Sequence, residues 1–142
     1  MEPAFWDSSS LVPLCIWQPS TLSAKALSKQ YGMFVWWAAP VEIRGAFARL
    51  LRIGQLTSTG QVQAQVALDE LRSNWQELLP TDELRSQAER LIDRFPLKAA
   101  DALQLAAGLA WTSGRPRSRA FISGDTQLLE AAGQLGFLPL KA

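Results

Sequence analysis

Four acidic residues stand at positions where their carboxylates could do chemistry. Asp7 directly follows a short apolar segment, and Asp125 follows another after a single glycine. Glu42 lies in the first turn of a predicted helix, and Asp101 is the only charged residue in a helix that is otherwise small and apolar. Taken singly, each has an ordinary structural interpretation. Asp7 and Asp125 are typical of helix N-caps, and Glu42 is typical of a residue stabilised by a helix dipole.

Taken together, the four acids predict an oxygen-ligand site for a hard cation. Crowded carboxylates repel by about 4 kcal/mol per close pair near a protein surface, and a divalent ion removes that repulsion. Oxygen ligands with no His or Cys near them in sequence suit Mg²⁺ or Mn²⁺. Such an ion lowers the pKa of a bound water and neutralises charge on a phosphate. The pattern therefore predicts hydrolysis of a phosphodiester by a metal-activated water, with Asp7, Glu42, Asp101 and Asp125 as metal ligands and catalytic residues.

Asp101 is the most informative of these acids. Its helix is small or apolar nearly all round, so we expect the helix and this carboxylate to be buried. A buried carboxylate is costly unless it is paired or bound to a metal. The alternative to a metal ligand is therefore a buried salt bridge to Lys98 or Arg94.

The elements that must position these acids alternate between strands and helices. Apolar runs predict strands at residues 3–6, 33–37, 77–79, 120–123 and 137–140. Capping signals and helical spacing predict helices at residues 20–30, 40–53, 57–75, 98–111 and 126–135, with a further helix opening at residues 81–83. This order predicts an α/β fold of three layers, α/β/α, around a central parallel sheet of about four or five strands. In such sheets ligands bind outside the carboxyl ends of the strands, where Asp7 and Asp125 stand.

The amino-acid composition excludes several classes of function. The 142 residues, 48% apolar and 19% charged, predict a single globular domain spanning residues 1–142. A net charge of +1 excludes a domain that coats nucleic acid by charge alone, and the absence of His excludes His-dependent catalysis and His-ligated zinc. Cys15 is the one cysteine, which fits a reducing cytoplasm. We expect no membrane span and no secretion signal.

Four segments resemble the successive motifs of PIN domains, and their order and spacing are similar to those of VapC-type toxins. The segments are 7–11 (DSSSL), 41–49 (VEIRGAFAR), 97–106 (LKAADALQLA) and 121–125 (FISGD). The third segment is the most specific of them, and the first is weak on its own. The stretch between residues 57 and 96 carries no motif that matches residue by residue.

The resemblance implies a Mg²⁺- or Mn²⁺-dependent endoribonuclease, the toxin of a type II toxin–antitoxin pair. It implies carboxylate ligands at the positions held by Asp7, Glu42, Asp101 and Asp125. It also implies that Ser123 orients the site through a hydrogen bond. RNA as substrate and a cognate antitoxin as partner follow from the resemblance alone, and a second copy of the chain is a further candidate partner.

The basic segment before the last motif has two interpretations. Arg115, Arg117 and Arg119 either contact RNA phosphates, which arginine binds bidentately, or belong to a solvated surface loop. The helix at residues 22–30 and the region 57–71 are candidates for an apolar surface that binds a partner.

Three other functions remain as alternatives. A phosphatase or a receiver domain uses a similar sheet, but a receiver domain needs paired acids after the first strand and a late lysine. Here Asp7 is followed by three serines, and the only late lysine is Lys141. A PIN-like module that binds protein or RNA without nuclease activity is the non-enzymatic alternative, and a nuclease assay with and without Mn²⁺ discriminates it.

Overall fold

The computed structural model describes residues 1–142, which form five strands and seven helices. In chain order these are β1 (Glu2–Trp6), α1 (Ser8–Cys15), α2 (Thr21–Gln30), β2 (Tyr31–Trp36), α3 (Ala39–Arg52), α4 (Ser58–Arg72), β3 (Gln76–Leu78), α5 (Asp82–Arg94), α6 (Ala99–Trp111), β4 (Ala120–Ser123), α7 (Thr126–Leu135) and β5 (Leu138–Lys141). None of the helices is both long and apolar enough to cross a membrane.

All five strands are parallel and lie in the order β3-β2-β1-β4-β5. The predicted α/β fold with a parallel sheet of four or five strands is therefore confirmed. Strands β1 and β4 are neighbours at the centre, with Trp6 opposite Ile122. Because the strands are parallel, the residues that follow β1 and β4 emerge together at one edge of the sheet, which we call the carboxyl edge.

Side chains of each strand alternate between two cores, one on each face of the sheet. Phe5 of β1 and Phe121 of β4 stack, with ring centroids 5.2 Å apart, in the core that α5, α6 and α7 cover. Trp6 and Ile122 point to the opposite face, into the core formed with α1 to α4. The continuous apolar runs in the sequence follow from this burial on both faces, which leaves the sheet no solvated side at its centre.

Helix α6 packs at Gly108 against the Phe121 side chain of β4, with no room for a larger residue. A Cβ on Gly108 would lie 2.9 Å from Cε2 of the Phe121 ring and 3.4 Å from the Phe137 ring. The missing side chain leaves room for the Phe121 and Phe137 rings against the backbone of α6.

The serines after β1 form the first turn of α1, a helix that Asp7 caps. The start of β2 differs from the prediction. Strand β2 starts at Tyr31 rather than at residue 33, because it pairs with β1 from Glu2 onward. Backbone pairing with a neighbouring strand extends β2 beyond its apolar run.

Candidate active site

Asp7 lies at the end of β1, buried among hydroxyl groups. Its Oδ2 accepts hydrogen bonds from the Ser9 backbone N–H at 3.3 Å, from the Ser9 hydroxyl, and from the Ser123 hydroxyl at 2.9 Å. Ser123 reaches Asp7 because β4 runs beside β1 and ends at the same edge. All of these bonds go to Oδ2, so Oδ1 is left without a hydrogen bond from the protein.

Asp125 follows β4 and caps helix α7. Its Oδ1 accepts hydrogen bonds from the backbone N–H of Gln127 at 2.9 Å and of Leu128 at 3.3 Å. The Ser123 hydroxyl also accepts a hydrogen bond from the Asp125 N–H, at 3.0 Å. The capping interpretation and the site interpretation are therefore compatible. One oxygen of Asp125 caps the helix, and the other has no hydrogen bond from the protein.

Glu42 lies in the first turn of α3, which begins just after β2 reaches the carboxyl edge. Its Oε1 accepts a hydrogen bond of 2.9 Å from the side-chain amide of Gln104, one turn beyond Asp101 on α6. The Gln104 amide also donates to the Ser8 hydroxyl at 2.8 Å. The hydrogen bonds of Gln104 therefore connect α6 with α1, through Ser8, and with α3, through Glu42.

Asp101 lies in the first turn of α6 and is half-buried, which corrects the prediction that it is buried. The apolar surroundings of α6 begin at Ala102, whereas its first turn reaches the open carboxyl edge. The predicted alternative, an ion pair with Lys98 or Arg94, is not present. The only salt bridge in the chain joins Arg85 and Asp82 on the exposed surface of α5, 3.3 Å apart.

The charges of the four acids influence one another. Burial raises the pKa of Asp7 above its ordinary value, and the negative charge of Glu42 raises it further, against the hydrogen bonds from Ser9 and Ser123. Burial also raises the pKa of Asp101, and the negative charges of Asp7 and Asp125 add to that rise. These effects require the carboxylates to lie within electrostatic range of each other.

The pKa of Glu42 is raised for the same reasons. Burial is the main cause, and the negative charge of Asp101 adds to it, while hydrogen bonds from Gln104 and Ser8 act in the opposite direction. Lys98 is the one cation that offsets the charge of Asp101. The four acids predicted from the sequence therefore form one cluster with an excess of negative charge.

The donors of this cluster suit a hard divalent cation. All are carboxylate oxygens, and Asp7 and Asp125 each keep one oxygen without a hydrogen bond from the protein. No group of three or more acidic or thiol side chains is already arranged to hold a metal ion. Mg²⁺ commonly keeps several waters and binds through one or two carboxylates, so a loose carboxylate cluster matches its chemistry.

The three arginines of the basic segment lie away from this cluster. Arg119 directly precedes β4, so the loop that carries it lies at the amino end of a strand whose carboxyl end carries the acids. The Arg119 guanidinium lies over the Trp111 ring, 4.4 Å from its centroid. Arg115 and Arg117 are exposed in the same loop. Their contact with RNA stays a prediction and concerns a surface outside the carboxylate cluster.

Two polar residues of the cluster were not predicted from the sequence. Gln104 is a buried amide in the apolar part of α6, and its spacing of three residues from Asp101 was the available signal. Lys141, at the end of β5, donates from Nζ to the Gly124 carbonyl at 2.8 Å and to the Thr126 hydroxyl at 2.9 Å. It thereby holds the two residues that flank Asp125. Its position near the chain end gave no indication of this contact.

Fold and site together define a parallel α/β protein with a cluster of carboxylates at the carboxyl edge of its sheet. No protein-family model matches the sequence, and no curated protein matches it. Several solved structures share the fold, and three of them illustrate the likeness.

The first of these structures is VapBC2 from Rickettsia felis bound to a DNA fragment from their promoter. A chain of that structure superposes with a TM-score of 0.65 at 11% identity, over 96% of this chain and 97% of the other. The second is PAE2754 from Pyrobaculum aerophilum, with a TM-score of 0.65 at 17% identity, over 92% of this chain and 79% of the other. The third is a toxin–antitoxin complex from Klebsiella pneumoniae, with a TM-score of 0.60 at 16% identity, over 87% and 88% of the two chains.

These likenesses confirm the predicted α/β fold and show that it is shared with chains of VapBC2 and of a toxin–antitoxin complex. The superposition spans nearly the whole chain, including the segment from residue 57 to 96 in which no motif was found. At identities of 11–17% the likeness establishes the architecture.

Proposed function

We propose that this chain is a metal-dependent endoribonuclease that hydrolyses RNA phosphodiester bonds, and that it acts as the toxin of a type II toxin–antitoxin pair. The observation that carries the proposal is the cluster formed by Asp7, Glu42, Asp101 and Asp125. These acids come from four separate segments, share one edge of the sheet, and have no matching set of cations. A structural role would be served better by ion pairs or by apolar residues. The fold shared with VapBC structures supports the same function.

The residues have distinct tasks in this proposal. Asp7 and Asp125 present their free oxygens to Mg²⁺ or Mn²⁺, while their other oxygens are held by hydroxyl groups and by the backbone of α7. Ser123 fixes both, since it donates to Asp7 and accepts from the Asp125 N–H. Glu42 and Asp101 add negative charge from the first turns of two helices. The bound ion would supply an activated water and neutralise charge on the scissile phosphate.

The surface formed by α1 to α4 is the proposed site of the antitoxin. Large apolar side chains are exposed there, and they include residues of the two regions that the sequence singled out. Among them are Trp17, Leu22, Ile53, Val62 and Val66, between 55% and 69% exposed. Exposed apolar residues on adjoining elements are typical of a surface that binds another protein. We propose that residues 1–142 form a single domain. We propose further that this domain binds both the RNA and the antitoxin in the cytoplasm.

The test is cleavage of end-labelled single-stranded RNA in Mn²⁺ or in EDTA, by the purified chain and two variants. We expect cleavage in Mn²⁺, none in EDTA, and a loss of several orders of magnitude in Glu42→Gln, which keeps the shape of the side chain but removes its charge. Asp69→Asn is the matched control, because Asp69 is exposed in the last turns of α4, before the amino end of β3.

Cleavage that persists in EDTA, or an undiminished Glu42→Gln variant, would contradict the proposal. Binding of RNA without cleavage under all conditions would instead favour the module without nuclease activity. The Asp69→Asn control is expected to cleave at the rate of the unchanged chain.

A further inference from the structure

Gln104 is a fully buried amide that connects three helices beside the carboxylate cluster. It lies on α6, one turn after Asp101. Its Nε2 donates to the Ser8 hydroxyl on α1 at 2.8 Å and to Glu42 Oε1 on α3 at 2.9 Å. The neighbouring Ser8 hydroxyl, like the Gln104 amide, lowers the pKa of Glu42 against the effect of burial. Glu42 is thus held by an uncharged donor, the Gln104 amide.

The orientation of this amide is set by its partners. The Glu42 carboxylate is an acceptor only, so the NH₂ group of Gln104 must face it, and a flipped amide would set two acceptors against each other. The remaining Oε1 of Gln104 is buried and has no hydrogen-bond partner. Leaving a buried carbonyl oxygen unpaired is unfavourable. Packing alone does not explain an amide here, because an apolar side chain of similar volume would avoid that cost.

The side chain that holds the Glu42 carboxylate is an uncharged amide rather than a cation. A lysine or arginine at this position would hold Glu42 more strongly, but it would neutralise the carboxylate. The amide orients the carboxylate and leaves its negative charge available to a cation. Asp101, in the first turn of α6, is near enough to Glu42 for its charge to raise the Glu42 pKa, so one helix supplies both an acid of the cluster and the donor that fixes another.

We infer that Gln104 is a positioning residue for Glu42, whose carboxylate it holds toward Asp7 and Asp101 without neutralising it. This inference rests on the proposed function, since it assigns Gln104 a part in binding the divalent cation. Ser8 completes the arrangement by accepting the second hydrogen bond of the Gln104 amide. Partners of this kind, which hold a metal ligand in place, typically raise metal affinity 10- to 100-fold.

The test is the affinity for Mn²⁺, measured by isothermal titration calorimetry without RNA. Gln104→Met keeps the approximate volume of the side chain and removes the donor. We expect it to weaken Mn²⁺ binding about 10- to 100-fold while leaving the metal-free protein folded in urea titrations. Gln87→Met is the matched control, because the Gln87 amide contacts Arg90 on the same helix, and we expect its Mn²⁺ affinity to be unchanged.

A double-mutant cycle separates action through Glu42 from a general effect on the fold. Glu42→Ala should weaken Mn²⁺ binding, and adding Gln104→Met to it should cause no further loss, since the partner of the amide is already gone. Additive losses in the double variant would overturn the inference. So would an unchanged affinity in Gln104→Met when Glu42→Ala is impaired.

Two further outcomes distinguish this inference from the proposed function. If the unchanged chain binds no Mn²⁺, or if Glu42→Ala binds it normally, the proposed site fails and the inference fails with it. Gln104→Leu, measured beside Gln104→Met, guards against a defect specific to methionine. If both variants are unfolded in EDTA, Gln104 is a requirement of the fold and the inference is wrong.

Discussion

Asp101→Asn is the substitution that best separates a carboxylate of a metal site from a structural one. Asparagine keeps the shape of the side chain and its hydrogen-bonding capacity but removes the charge. In the structure Asp101 has no salt bridge, and the charges of Asp7 and Asp125 raise its pKa beyond the effect of burial. Removing its charge should therefore relieve repulsion in the metal-free protein and weaken the attraction for a cation.

The magnitude follows from the distances and exposure typical of such a cluster. Two unit charges about 8 Å apart repel by about 2 kcal/mol at an effective dielectric constant of about 20. Solvent screens the half-buried Asp101, and Lys98 offsets part of the repulsion, so we expect the metal-free variant to be stabilised by about 1 kcal/mol. A buried salt bridge predicts the opposite sign, a loss of about 3–5 kcal/mol, because a cation would be left unpaired.

Urea unfolding at pH 7 in EDTA measures this difference, and the same titration in Mn²⁺ measures the stabilisation by the metal. We expect Asp101→Asn to be more stable than the unchanged chain in EDTA, to gain less stability from Mn²⁺, and to cleave RNA orders of magnitude more slowly. Asp69→Asn should change none of these quantities. A strongly destabilised Asp101→Asn variant, or a stable variant that is fully active, would refute the assignment.

Three other predictions test the electrostatics, the packing and the basic loop. The pKa values of Asp7, Glu42 and Asp101 are raised in the folded state, so the metal-free protein should lose stability as the pH rises from their ordinary values of 3.8 to 4.5 through the raised values. Bound Mn²⁺ should oppose this loss. Urea unfolding across pH in EDTA measures it, and a free energy of unfolding that rises with pH over this range would contradict the prediction. Gly108→Ala should destabilise the protein by about 1–2 kcal/mol, since the added Cβ would lie 2.9 Å from the Phe121 ring. Gly45→Ala is the control, because open space surrounds Gly45, and it should be neutral or stabilising. Equal effects of the two variants in urea titrations would refute the packing argument. Arg119→Ala should lower the free energy of unfolding by about 0.5–1 kcal/mol, because the contact of Arg119 with Trp111 is lost. Replacing Arg115 and Arg117 by Ala should reduce the slope of log RNA affinity against log salt concentration by about 0.7 per lost phosphate contact. An unchanged slope would show that the loop is only solvated.

The sequence predicted the architecture because burial on both faces of a parallel sheet leaves a direct pattern. Residues 4–6 and 120–122 are apolar throughout, and each run is followed within three residues by an acid that caps a helix. Strand direction alone then places Asp7 and Asp125 at one edge. Boundaries such as the start of β2 were missed, since they depend on pairing with β1 rather than on the local sequence.

The finer features of the site could not be predicted, because they depend on which elements meet in space. The burial of Asp101 was overstated, since periodicity describes the faces of α6 but does not show that its first turn reaches the open edge of the sheet. The contact of Gln104 with Glu42 spans 62 residues in sequence. The basic loop was associated with the site because it precedes β4, and the direction of that strand places it at the opposite edge.

The most direct test of the central claim is a crystal structure of the chain grown with Mn²⁺, with the metal located by its anomalous scattering. The account predicts an anomalous peak at the carboxyl edge of the sheet, within ligand distance of oxygens from at least one of Asp7, Glu42, Asp101 and Asp125 and with its other positions filled by water. A peak at another surface alone, or no peak at this edge under saturating Mn²⁺, would contradict it.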